Sequence, residues 1–177
     1  MTSSERKILI SHLAESQAGV LDLLENMDDS LFQYVPSEGQ WSIAQIVEHI
    51  ILVEKGILGK INSLATTAPS EVTAVQIDHQ QLIGLLAARD RKAKSPESYI
   101  PKGAFTNTKE AITAFNEHRT DLETFLNTTS ISLQTIVFPH FILGAINGLS
   151  WMAFVAGHCL RHVTQMKAIK EGLVTKK

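Results

Sequence analysis

The chain has 177 residues, of which 44% are hydrophobic and 19% charged, the size and balance of about one globular domain and too apolar for a disordered chain. Its 16 Lys+Arg and 18 Asp+Glu give a formal charge of -2, which supplies no basic footprint for a phosphate backbone or anionic lipid, so neither nucleic acid nor a membrane surface is expected as a partner. The N-terminal MTSSERKILISHLAESQ lacks the unbroken apolar run of a secretory signal. The most apolar region, Phe138 to Val155, is interrupted by His140, Gly144, Asn147 and Gly148 and falls short of the roughly 20 apolar residues that cross a bilayer as a helix. A lone cysteine, Cys159, rules out an internal disulfide and points to a reducing cytoplasm.

In chain order, Thr2 with Glu5 three residues later forms a capping box before a helix over about 4–26, with Ile8, Leu9, Leu13, Val20, Leu21 and Leu24 as its apolar stripe. DDSLFQYVPSEGQW follows, a turn-rich stretch with Pro36 and Gly39 and room for one helical turn near Leu31. Ser42 and Gln45 form a second capping box, and Ile43, Ile46, Ile50, Val53, Ile57 and Ile61 carry a helix to about Leu64. Residues 65–106 contain Pro69, Pro96, Pro101 and Gly103 and read as a long crossover, helical only in QQLIGLLAARDRKAK. Asn107 with Glu110 signals a third main helix bearing Ile112, Phe115, Leu122, Phe125 and Leu126. The β-branched connection 127–148 has room for a short extended piece. Asn147 then caps a last helix, which Gly172 should end. The expectation is an all-α fold: one domain over 1–177, a four-helix bundle with a long crossover between its second and third helices.

The last helix carries GHCLRHVTQM, where His158 and His162 lie four residues apart and so project from one face. Two imidazoles so placed can share one divalent ion, a geometry suited to zinc or nickel. In a chain with seven histidines the spacing alone is weak, and its company carries the weight: Trp151, Val155, Met166 and Ile169 share that face. A third ligand is not singled out by periodicity. His49 stands in the most apolar surroundings and ranks first, His118 is its rival, His12 lies near the edge of the first helix's stripe, and His79 and His140 fall in loops.

Around this set, Gln165 lies on nearly the same face as both histidines and is a candidate to support them; Arg161, turned about 100° from His162, is a candidate for an anionic substrate group. Glu48 and Glu54 are weak candidates for a general base. Cys159 faces away from His158 and reads as a small buried side chain, while Trp41 and Trp151 read as core or rim aromatics able to line a pocket. No nucleophile elbow, Gly-rich phosphate loop or βαβ alternation is present.

GQWSIAQIVEHI, HFILGAINGLSW and HCLRHVTQM, in that order over most of the chain, resemble the DinB/YfiT-like superfamily of metal-dependent enzymes. Trp41 and Ser42, and Arg161 and Gln165, match that family's pattern; the PHFILG segment departs from it, since relatives often have His-Pro before the glycine. The resemblance implies a four-helix bundle with a divalent metal held by His49, His158 and His162. It further implies a small-molecule substrate, a thiol S-transferase using a low-molecular-weight thiol such as bacillithiol or mycothiol, or a related hydrolase, and a homodimer. The alternative is a catalytically inactive metal-binding or dimerisation module involved in stress response.

Overall fold

A computed structural model describes residues 1–66, 72–88 and 94–174, with side chains to Gly172. Its elements follow local signals closely. α1 (Ser3–Leu24) starts at a reciprocal capping box, Thr2 accepting from the Glu5 amide while Glu5 accepts from the Thr2 amide, and a short α2 (Asp29–Phe32) is capped by Asp28. α3 (Ile43–Leu64) starts at the Ser42 and Gln45 box, and α5 (Thr108–Thr128) at Asn107, whose side-chain oxygen accepts from the Glu110 amide. Asn147 accepts from the Ser150 amide at the head of α6 (Gly148–Val174). Each cap satisfies donors that the first helical turn would otherwise leave open.

Three readings are corrected. Gly172 does not end α6, which continues to Val174; its exposed position tolerates glycine within the helix. His79 is the first residue of α4 (His79–Ala87), capped by Asp78, not a loop residue; the rest of the expected crossover helix, 89–93, lies outside the described residues. His140 ends β1 (Val137–His140), which pairs antiparallel with β2 (Gly144–Asn147) in register His140↔Gly144. Gly144 has φ +77°, a left-handed conformation that lets the chain reverse over three residues.

The four long helices form the bundle. α1 packs against α5 and α6, and α3 packs against the same two. Helices consecutive in sequence, α1 with α3 and α5 with α6, therefore face each other across the diagonal, and the long connections cross the ends. α4 lies along α6. Gly157 makes that approach close: a Cβ there would meet the Ile83 Cα and Leu86 Cβ at 3.0 Å.

The interior is two apolar clusters. One gathers Leu9, Leu13, Val53, Ile57, Leu122 and Ala156 with the hairpin end; the other gathers Val20, Ile46, Ile50, Phe115, Cys159 and Val163. Near where the two adjoin in sequence, on three helices, lie the buried polar residues Ser16, Glu54, His118 and Arg119. Arg119 donates to Glu54 Oε1 at 2.7 Å, to Ser16 Oγ at 3.0 Å and to the Leu13 carbonyl at 3.2 Å. His118 Nε2 lies 3.2 Å from Glu54 Oε2. No described helix is long and apolar enough to cross a membrane.

Candidate metal site

α3 and α6 bring His49, His158 and His162 together, with one ring nitrogen from each lying within 4.8 Å of the others. The ring centroids are 4.9 Å apart for His49 and His162, 5.2 Å for His49 and His158, and 4.5 Å for His158 and His162. His118, the rival, is on α5 and is engaged with Glu54.

Hydrogen bonds fix which nitrogens face inward. A carbonyl oxygen can only accept, so at 2.8 Å from the Tyr99 carbonyl His49 Nδ1 carries the proton and Nε2 is left with its lone pair. His162 Nδ1 lies 2.9 Å from Gln165 Oε1, which orders that ring in the same sense. His162 Nε2 and His158 Nε2 then face each other at 3.1 Å. Two imidazole nitrogens bound at about 2.0–2.1 Å to one tetrahedral ion stand roughly 3.3 Å apart, so this pair fits a shared cation; without one, an Nε2–H tautomer of His158 donates to the His162 Nε2 lone pair. The donor set, neutral imidazoles with an outer acceptor on two of the three, suits a divalent transition metal.

Burial holds His49 below its ordinary pKa, the Tyr99 hydrogen bond opposing the shift only in part. His158 is held well below by removal from water and by the neighbouring His162 and His49, and burial takes His140 down to about 4. The unfolded chain, with these groups near 6.5, takes up protons before the folded one. Metal-free protein is therefore expected to hold its full stability above about pH 7 and to lose stability progressively as pH falls below about 6.5. Urea unfolding of chelator-treated protein at pH 7.5, 6 and 5 checks this, and a flat profile rules it out.

The crossover is strapped to the ligand-bearing helix. Glu48, next to His49, accepts from the amides of Lys102, Gly103 and Ala104 at 2.8–2.9 Å. Gly56 leaves room for the Tyr99 ring, which a Cβ would meet at 2.6 Å. Both carboxylate oxygens of Glu48 are thus taken, so the general-base reading gives way to an anchoring one; Glu54 is held in the core, its Oε1 by Arg119 and its Oε2 3.2 Å from His118 Nε2. Glu48→Gln places an amide N–H against backbone donors and is expected to cost about 1–3 kcal/mol, read by denaturant unfolding together with faster proteolysis near residue 102.

The three histidines line a cavity of about 1290 Å³. Trp41 lies against His49 with centroids 4.7 Å apart, and Phe154 stacks on His158 at 5.2 Å. Arg161 and Gln165 also line it. Trp151 stacks on Phe138 at 4.5 Å and donates its indole N–H to the Phe138 carbonyl. Cys159 is buried on the far side of α6, its thiol 3.6 Å from the Ser16 carbonyl and pushed up to about 12 by burial. Sequence reasoning missed Tyr99, because a backbone carbonyl leaves no residue-type signal, and Phe154, whose stacking requires the fold.

Comparison with known proteins bears on the family and the fold. A Bacillus subtilis (strain 168) protein, the uncharacterised YuaE, is 23% identical over 148 residues, covering 84% of this chain and 88% of its own. The structure of YfiT from Bacillus subtilis, described as "a probable metal-dependent hydrolase with an unusual four-helix bundle topology", superposes with a TM-score of 0.64 at 15% identity, covering 98% of this chain and 90% of that one. TT2238, a four-helix bundle protein, gives 0.59 at 20% identity, with 92% and 98% covered. The two structures share the fold, and the family model for the DinB superfamily matches residues 12–166: the chain belongs to the DinB superfamily.

Proposed function

We propose that this protein is a metal-dependent enzyme in which His49, His158 and His162 hold a divalent ion, zinc or nickel, at the wall of the apolar cavity. The observation that carries the reading is the convergence of three imidazole nitrogens within 4.8 Å, with His49 and His162 oriented by Tyr99 and Gln165. Three protein ligands leave a coordination position for another molecule, as catalytic sites do and closed structural sites do not. Bound there, a divalent ion acidifies a water or thiol and polarises an electrophile.

The chain's own groups do the rest. Tyr99 and Gln165 keep the ligand nitrogens deprotonated toward the site, and Trp41 and Phe154 flank the rings and limit water. Arg161, on the cavity wall, supplies a positive charge for an anionic substrate group. Of the two nucleophiles, resemblance to thiol-dependent relatives favours a low-molecular-weight thiol, making the reaction an S-transfer to an apolar electrophile; the description of YfiT supports hydrolysis. Elemental analysis of untagged protein, followed by parallel assays with bacillithiol plus a chlorinated aromatic electrophile and with aryl esters, separates them. One bound metal with thiol-dependent turnover supports transfer; turnover without thiol supports hydrolysis; no metal refutes both.

A further inference from the structure

His140 lies on the same cavity wall but outside the three-histidine set. Its Nδ1 accepts from the backbone amides of Ile142 and Leu143, each at 3.1 Å. Two N–H donors aimed at one nitrogen require its lone pair, so the neutral ring carries its proton on Nε2. That Nε2 is buried and has no hydrogen-bond partner among the described residues, in a side chain only 5% exposed. Folded proteins seldom leave a buried donor open, since the lost hydrogen bond to water is not replaced.

The surroundings explain why nothing among the described residues takes that bond. Trp151 and Phe154 tilt against the ring, with centroids 5.2 and 4.8 Å away, and Phe141 stacks on it at 4.6 Å. All are apolar faces without an acceptor oxygen. Phe154 also stacks on His158, so His140 and the candidate metal ligands are separated by a single aromatic side chain. The turn that fixes the tautomer carries Phe141 and Ile142, exposed at 68% and 54%, and both border the cavity.

We propose that His140 is a substrate-binding residue, its imidazole locked by the hairpin turn as a neutral Nε2–H donor that receives a carbonyl or carboxylate oxygen of an otherwise apolar ligand. The inference rests on the metal-site reading for the position of the reacting end and names the ligand class: an apolar body, packed on Phe138, Trp151 and Phe154, bearing one sp² oxygen acceptor. A neutral donor takes a carbonyl oxygen without needing a counter-charge in the apolar wall, whereas a carboxylate needs its second oxygen in water or near a cation. His140 is thus a determinant of which molecule is held, and the three histidines remain the site at which it reacts.

The test uses the zinc-loaded protein with ¹⁵N-labelled histidine and hexanoate as the probe. In the free protein the His140 ring should show the Nε2–H tautomer, and hexanoate should move that N–H resonance. His140→Phe should lower hexanoate affinity at least fivefold while zinc content stays at one per chain, and His140→Gln, which keeps an N–H donor, should recover part of the loss. An Nδ1–H tautomer, an unmoved Nε2–H resonance on saturation, or equal hexanoate affinity in His140→Phe would overturn the proposal. If His140→Phe does not fold, the tautomer and resonance measurements on the unaltered protein decide alone. Failure of the metal reading is separate: it shows as absence of zinc, whatever hexanoate does at His140.

Discussion

His158→Ala is expected to lower zinc or nickel affinity by more than about 100-fold, beyond the 10–100-fold typical of losing a partner behind a ligand, while helical content stays close to that of the unaltered protein. The asymmetry follows from where His158 sits. Its Nε2 lies 3.1 Å from His162 Nε2 and its ring touches both His49 and His162, so removal leaves a two-ligand site. α6 itself is held by other residues, with Met152, Val155, Cys159, Val163 and Met166 fully or almost fully buried. The metal-free variant also loses an imidazole whose Nδ1 is buried without a hydrogen-bond partner among the described residues and whose charged form burial disfavours, which offsets part of the packing lost. His118→Ala provides the control: its ring lies 3.2 Å from Glu54 and outside the three-histidine cluster, and this variant should retain the metal. Metal analysis of both variants after dialysis, with far-ultraviolet circular dichroism, is the check. Retention of a full equivalent by His158→Ala refutes the assigned ligand set.

The helix starts were legible in the sequence because caps are local. Thr2, Ser42, Asn107 and Asn147 each accept a hydrogen bond from within three residues, and no distant residue is needed to make that bond. Gly172 misled because a glycine ends a helix only where the backbone turns left-handed, and nothing at that end forces it to. The hairpin was visible only as a β-branched stretch, since its register depends on pairing across the turn and on the Val75 amide bonding to Ala145 O from the crossover.

The site was legible to the level of a helix face. The spacing of His158 and His162 placed them together, but His49 and His118 were not separable by periodicity, because both lie on inward stripes. What separates them is the rotation of α3 and α5 about their own axes, and that is set by a buried network no local pattern displays. The diagonal placement of α1 and α3 is equally silent in the sequence: caps and stripes say where helices begin and which face is apolar, not which helix lies beside which.

That network carries the other large effect. Arg119→Ala is expected to cost about 3–5 kcal/mol, the range for removing one partner of a buried ion pair. Glu54 is fully buried and Arg119 is 2% exposed; the 2.7 Å bond between them is supplemented by Arg119 bonds to Ser16 and the Leu13 carbonyl and by the guanidinium lying 4.9 Å from the Phe115 ring. Truncation leaves the Glu54 carboxylate with His118 alone and opens a void between the two apolar clusters, so desolvation and cavity costs act together. If the cost arises from the orphaned charge, the triple variant Glu54→Leu, His118→Leu, Arg119→Met should regain most of the lost stability, because a packed apolar layer needs no partner for its side chains. Urea unfolding of the single and triple variants distinguishes the cases: a triple variant no more stable than Arg119→Ala means that the charges themselves hold the helices together, and a single variant within about 1 kcal/mol of the unaltered protein means that water or a shifted side chain satisfies Glu54. Glu54 stands five residues from His49 on α3, so a layer that ties it to α5 and α1 also sets the rotation that turns His49 toward α6.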